Sequence, residues 1–355
     1  PGAAASPGAA AAAASPATAA AAPKPTFNEQ AVADFYRGKT VRVIVGFAPG
    51  GGYDTFARLV AKHVGKFLPG SPTVIVENRP GGASLIAANS VYTSEPKDGT
   101  VLTTFGETAI LQQAMGVEGI QFDAKKFNWI GAPTKSTGIC FARKDSGVTS
   151  VEQLLASNKE LPTVAVGKGT LDYSLPAAVN GVLAPRFKLV TGYAGSGEAQ
   201  AAWEKGEGDV FCGGADNLLT RQRRLVEGPD ALGKVLFHSG LKTPELNDPI
   251  MQGVPSLLDL AKDEQGKQLI MALNVTLEIL RPLAMAPEVP RDRVEAWRAA
   301  VAAAYRDAEF AADAKQAYPL FSVEITSTGA EVENIVDQLF ALPKPVLDRM
   351  KELIS

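Results

Sequence analysis

The sequence predicts an α/β protein built from two doubly wound lobes, and three observations carry that prediction. Short β-branched runs alternate with amphipathic helical segments, the pattern of helices laid over a parallel sheet. The alternation occurs twice, before and after about residue 139. Glycine-rich turns recur where strands hand over to helices, at 46–54, 78–84, 167–174 and 193–198. With 355 residues, 46% of them apolar, the chain is too long for one ordinary core and apolar enough to fill two.

The elements follow in order. Residues 1–22 are Ala, Pro, Gly, Ser and Thr only, a composition that buries too little apolar surface to offset its ordering entropy. Residues 1–26 are therefore expected to form a disordered tether. Such a tether suits a chain held near a membrane by a processed, lipidated N-terminus, and suits a plain disordered tail equally. After a short helix at 30–37 comes the strand VRVIVGF at 41–47, then the turn Pro49, Gly50, Gly51, Gly52. A helix over 55–68 places Phe56, Leu59, Val60, Val64 and Phe67 on one face, with Asp54 at its N-cap. Strand 73–78, the turn Pro80-Gly81-Gly82, a helix at 84–94 and strand 101–105 complete the first series.

The second series starts with the strand ICFAR at 139–143 and a helix opened by a Thr149–Glu152 capping box. Strand 163–167, a helix at 172–183, strand 187–193, a helix at 197–207 and strands 209–214 and 234–240 follow. Residues 261–280 fit two periods. Leu273, Val275, Leu277 and Ile279 alternate as in a strand, and Leu269, Leu273, Leu277 and Leu280 share a helix face. PLAMAP at 282–287 reads as a strand. Three tail helices, one capped by Thr328 and Glu331, are expected to return over the first lobe. The expected division is lobe 1 at 39–138 and 273–355, and lobe 2 at 139–272.

Composition excludes several functions. A formal net charge of −3 with no basic stripe argues against nucleic acid and against anionic membrane surfaces. No run of about 18 apolar residues suggests a transmembrane segment. The sequence has neither a starting Met nor a signal-like n- and h-region, so the chain is either cytoplasmic or numbered after a signal peptide was removed. Cys140 and Cys212 lie in apolar strand-like surroundings, which favours two buried free thiols, with a disulfide as the alternative. His63 and His238 are far apart and lack ligand spacing, so no metal site is expected.

The glycine turns carry the chemistry. Glycines let a ligand approach the backbone, and a following helix N-terminus adds unpaired N–H donors and partial positive charge. In open α/β sheets ligands bind at the strands' carboxyl ends. Two such cradles per lobe, facing each other, would grip a small molecule with carboxylates at its ends. Glu107, just after strand 101–105, is a candidate for selecting an amino or hydroxyl group, or is a solvated loop acid. Asp54 reads as an N-cap or as a ligand contact. A NAD(P)-dependent enzyme is the alternative. Gly50 and Gly52 begin a dinucleotide fingerprint within 50–55, and Glu77 ends the next strand where a ribose-binding acid would sit, but Thr55 lies where the pattern continues and the third glycine is missing.

At this point the sequence resembles the periplasmic solute receptors of tripartite tricarboxylate transporters, the Bug or TctC-like family. The resemblance runs from about residue 39 to the C-terminus. It is most specific in VRVIVGFAPGGGYDTFARLVAKHV and VIVENRPGGASLIAANSVYTSEPKDGT, with later support from VTGYAGSGEAQAAWEKGEGD, MQGVPSLLDLAK and PLAMAPEVPRDRVEAWR. It implies a type II periplasmic-binding-protein fold, two lobes joined by a two-strand hinge with the ligand cleft between them. It implies a monomeric periplasmic receptor without cofactor or catalytic residues. Its ligand would be a di-, tri- or aromatic carboxylate, and its partners a large and a small membrane permease subunit. Use of the same fold as a sensor docked to a signalling membrane protein is the further alternative. Carried over residue by residue, the binding loops are Phe47, Gly50, Gly51, Gly52, Tyr53 and Asp54, and then Gly81, Gly82, Ala83 and Ser84. The opposing lobe would contribute Gly169, Thr170, Ser174, Gly195, Ser196 and Asp216. Two departures stand out: PGGAS replaces the more usual PGAGG, so Ser84 brings a hydroxyl, and Tyr53 adds an aromatic wall.

Overall fold

The computed structural model describes residues 27–184 and 186–354; the expected tether at 1–26 lies outside the described residues. Eleven strands form among the described residues. The first four are β1 (Thr40–Val45), β2 (Thr73–Asn78), β3 (Val101–Thr104) and β4 (Asn128–Ala132). Next come β5 (Gly138–Arg143), β6 (Leu161–Val164), β7 (Phe187–Val190), β8 (Val210–Gly214) and β9 (Gly233–His238). The last two are β10 (Leu283–Met285) and β11 (Ser327–Thr328).

They make two sheets, ordered β11-β4-β10-β3-β1-β2 and β7-β6-β8-β5-β9. β1 runs parallel to both β2 and β3, and Val45 is in register with Asn78 on one side and Thr104 on the other. The carboxyl ends of these strands therefore finish together, at the edge where the glycine turns sit. β1 lies between β2 and β3, and its Val41, Val43, Ile44 and Val45 are all fully buried, as a parallel strand covered on both faces requires. In the second sheet β6 pairs parallel with β7 and β8, while β5 is antiparallel to β8 and β9. Each sheet is thus mixed rather than wholly parallel: β10 and β11 enter the first antiparallel, and β5 enters the second so.

Residues 133–137 and 278–282 link the sheets and touch each other through a Thr134–Leu280 bridge. The ambiguous stretch folds as the helix Glu264–Leu277, capped by Asp263, whose side chain accepts from the Gly266 N–H. Helices Arg291–Arg306 and Gly329–Phe340 lie over the first lobe as expected, and so does Ala308–Ala317, which was not anticipated; they pack on β4 or on helix Gly52–Val64. The last helix, Lys344–Ile354, does not: it packs on helix Leu171–Leu183 of the second lobe and on Glu264–Leu277. Gly181 permits this, since any Cβ there would run into Leu353.

Four local expectations are corrected. Strand β4 was not anticipated. The capping box expected at Thr149 and Glu152 moves on by one residue: Ser150 is the N-cap, accepting from Gln153 N–H, and the Gln153 side chain reaches back to Thr149 N–H. Asp54 is not an N-cap; Gly51 takes that position and Asp54 sits in the first turn. The cysteines are not free thiols: Cys140 on β5 is in register with Cys212 on β8, Cα atoms 4.1 Å apart, and they form a disulfide.

Candidate ligand-binding site

A cavity of about 320 Å3 lies between the two sheets at the carboxyl ends of their strands, within the size range of small-molecule sites. Helices Gly52–Val64, Leu171–Leu183 and Ser196–Glu204 begin at its wall. The first N–H groups of a helix have no acceptor within it. Those of Gly51, Gly52 and Tyr53 find none elsewhere among the described residues. The loop bearing them is held from behind. Asp54 accepts from Gly50 N–H at 2.9 Å and from Asn78 Nδ2 at 2.9 Å, and pairs with Arg58. These partners hold its carboxyl below the ordinary range even though burial pushes it up. Asp54 thus faces away from the cavity and fixes the loop that faces in.

Phe47, Gly50, Gly51, Gly52, Tyr53, Glu107, Thr170, Gly195, Ser196 and Asp216 all line this one cavity. Gly81, Gly82, Ala83 and Ser84 do not. They line a second, more open cleft of about 700 Å3, shared with Gly167, Lys168 and Gly192, and Phe47 and Val166 form the partition between the two spaces. Ser84 turns its hydroxyl inward, where it accepts from Gly106 N–H at 2.9 Å. Only a glycine at 46 leaves room for it. Gly169 stands outside the lining, and its carbonyl accepts from the Thr108 hydroxyl across the lobes. Ser174 is fully buried beneath the site, with a hydroxyl that has no partner among the described residues.

Sequence reasoning missed three charged residues of the lining, Arg281, Asp172 and Glu198. Arg281 lies in the second linker at φ +60°, a left-handed conformation that non-glycine residues rarely adopt. Its guanidinium is 4% exposed. It pairs with Asp216 at 2.6 Å and donates to Thr134 Oγ1 at 2.7 Å. It also lies 5.2–5.7 Å from the ring centres of Phe56, Tyr318 and Tyr53. Burial opposes its charge, but Asp216 together with Tyr318 and Tyr53 outweighs that and holds it above the ordinary arginine range. The available signal was a lone arginine within the apolar run ILRPLAM, since buried arginines need a carboxylate partner. Asp172 lies in the first turn of helix Leu171–Leu183 and accepts from Thr170 Oγ1 and, at 3.1 Å, from Val166 N–H. Burial raises it to about 6 despite those bonds. Its signal was an acid two residues after a glycine turn, where a helix dipole favours one.

Glu107 is buried against Tyr53, whose hydroxyl donates to it. Burial pushes the Glu107 carboxyl above its ordinary range, more than the Tyr53 hydroxyl and the Arg281 charge pull it down. Tyr53 rises well above the ordinary phenol range, through burial and the neighbouring carboxylate. Glu77, the acid a dinucleotide ribose would need, lies outside the cavity and is paired with Arg42 at 2.7 Å and Arg79 at 2.6 Å. His63 is buried against Asp313 at 2.6 Å, and the nearby Asp307 and Glu309 already pair with Lys66.

Two sheets with a cavity between them at their strand ends define a two-lobed binding-protein fold, and solved structures share it. MatC from Rhodopseudomonas palustris with bound malate is 19% identical, with a TM-score of 0.65, covering 86% of this chain and 98% of its own. The periplasmic binding protein BugD is 18% identical, with a TM-score of 0.66, covering 88% and 98%. Another R. palustris protein, solved with adipate, is 17% identical, with a TM-score of 0.66, covering 88% and 97%. In sequence, a UPF0065 protein of Bordetella bronchiseptica is 30% identical over 130 residues, 36% of this chain and 38% of its own. One of Cupriavidus necator is 29% identical over 159 residues, 42% and 43%. The chain therefore spans about two-fifths of the length of these curated relatives. No family model matches. The resemblance to Bug and TctC-like receptors carried by the glycine loops is thus met in sequence relatives and in fold.

Proposed function

We propose that this protein is an extracytoplasmic solute-binding receptor that closes two lobes over a small carboxylate and delivers it to a tripartite tricarboxylate-type transporter. The observation that carries the reading is the cavity between the lobes, with the N–H groups of Gly51, Gly52 and Tyr53, unpaired among the described residues, and the Arg281 guanidinium on its wall. Amides at a helix N-terminus bind anions without needing a surface cation. Fold neighbours solved with malate and with adipate support a carboxylate ligand. The lobes divide near residues 138 and 273, and 133–137 with 278–282 form the hinge. The receptor acts as a monomer in the periplasm, presenting its closed form to a large and a small permease subunit. Among the described residues no helix is long and apolar enough to cross a membrane.

In this reading the protein is a receptor rather than an enzyme and uses no cofactor, and its likeness in fold to a periplasmic binding protein supports that. A ligand touching both lobes favours closure by its differential affinity for the closed form. The experiment is a melting screen with citrate, malate, glutamate, adipate and terephthalate beside NAD(P). A ligand at a hundred times its Kd adds about 2.7 kcal/mol, a rise of several degrees. A rise with a carboxylate and none with the nucleotide supports the reading; a rise with NADH alone, or turnover of a carboxylate, sinks it.

A further inference from the structure

The charges on the cavity wall are out of balance for a dianion. Among the described residues Glu107, Asp172, Glu198 and Asp216 line it, against one guanidinium, that of Arg281. That guanidinium is already matched by Asp216 at 2.6 Å. The other oxygen of Asp216, Oδ1, is buried and meets no donor among the described residues. Glu245 lies behind it, and repulsion between the two carboxylates joins burial in raising Glu245 above its ordinary range. The cavity therefore holds amides that suit one carboxylate, together with oxygens of Glu107, Asp172 and Asp216 (Oδ1) that meet no cation among the described residues. Two aromatic faces, Phe47 and Tyr53 with centres 4.4 Å apart, stand beside Glu107 on the same wall. Carboxylates and ring faces together are the surroundings in which an ammonium is bound. Glu107 belongs to the first lobe and Asp172 and Asp216 to the second, so a cation placed among them would draw the lobes together.

We infer that the ligand is a zwitterionic amino-carboxylate, its carboxylate on the amides of 51–53 and its ammonium among Glu107, Asp172 and Asp216. This rests on the carboxylate-receptor reading and narrows it. A second carboxylate in place of the ammonium would face like charges in a partly buried cleft, where they are screened less than in open solvent. Specificity then comes from repulsion of the wrong ligand as much as from attraction of the right one.

The test uses matched pairs in which one carboxylate is exchanged for an ammonium: succinate with β-alanine, glutarate with γ-aminobutyrate, adipate with δ-aminovalerate, and 4-carboxyphenylacetate with 4-(aminomethyl)benzoate. Affinities are measured by calorimetry on the intact protein at neutral pH. The amino member of at least one pair is expected to bind tenfold or more tightly than its dianion. Glu107→Gln and, separately, Asp172→Asn are expected to narrow that ratio by weakening the amino member and relieving the dianion. A dianion that binds the native protein as tightly as its partner overturns the inference and leaves the receptor reading standing. A ratio unchanged in both variants also overturns it. Silence from every compound in both series removes the receptor reading itself.

Discussion

An aspartate at position 172 pays for its place at the site in a way that stability measurements can read. Its carboxyl is buried and titrates near 6 in the folded protein, against an ordinary 3.8. Between those values the folded chain keeps a proton that the unfolded chain has released. Stability therefore falls as pH rises through about 4 to 6, and the penalty is fully present above that window. Asp172→Asn removes the titration whatever its constant effect on the Thr170 and Val166 bonds. The melting difference, variant minus native, should grow from pH 4 to pH 7 by the equivalent of about 2–3 kcal/mol. Parallel melting curves at every pH would show that the carboxyl is not perturbed. At this scale the sequence revealed only what is local. Gly50, Gly51 and Gly52 are visible because the lack of a side chain is a property of the residue itself. Arg281 and Asp216 are not, since each makes sense only beside the other and they lie on separate elements. The same holds for Cys140 and Cys212: their buried strands were legible, and their pairing depended on the register between β5 and β8.

The helix Gly52–Val64 and the turn before it are the element on which binding depends. Gly51 has φ −80° and ψ 176°, an extended conformation open to any residue. A Cβ there would meet only Ser196 Oγ, at 3.4 Å across the cleft. Gly51→Val should therefore fold, with stability within about 1 kcal/mol of native, while its branched side chain covers the amide cradle and props the lobes apart. Binding of whichever carboxylate raises the native melting temperature should weaken by at least tenfold, about 1.4 kcal/mol. Native affinity in this variant would place the anion somewhere other than the first glycine turn. Elements with strong patterning were readable in advance. β1, β2 and β3 are β-branched runs bounded by glycine, proline or aspartate, and they form within one or two residues of where the pattern puts them. β4 was missed because Asn128–Ala132 mixes an amide, an indole and a glycine with no alternation to mark it. The stretch at 264–277 satisfied both periods; the Asp263 cap and the apolar contacts of Leu269, Leu273 and Leu277 on the two lobes decide for the helix. The final helix was assigned to the wrong lobe because its destination depends on a gap at Gly181 that no feature of its own sequence records.

Across the whole molecule, the lobes meet through a small number of directed contacts rather than a broad apolar seal at the cavity mouth. Ala48 N–H reaches Ala194 O at 3.4 Å, the Thr108 hydroxyl donates to Gly169 O, Tyr318 Oη reaches Asn217 Oδ1 at 3.4 Å, and Arg281 pairs with Asp216. Each joins a residue of the first lobe or the linker to one of the second. The Thr108 contact is the most informative to remove. It is fully buried, it lies outside the lining of the cavity, and it touches no ligand position. Thr108→Val keeps the shape, deletes the donor and leaves the Gly169 carbonyl without that partner. A neutral hydrogen bond contributes about 0.5–1.5 kcal/mol net, and in this place the loss falls on the closed form, because the open form exposes both groups to water. Binding should weaken by roughly three- to tenfold, with the midpoint of denaturant unfolding of the ligand-free protein little changed. Solution scattering should show a larger radius of gyration for the variant at subsaturating ligand, converging on the native value at saturation. Unaltered binding together with a native scattering profile would mean that closure does not run through this contact, and that the fit of the ligand alone sets the equilibrium between open and closed forms.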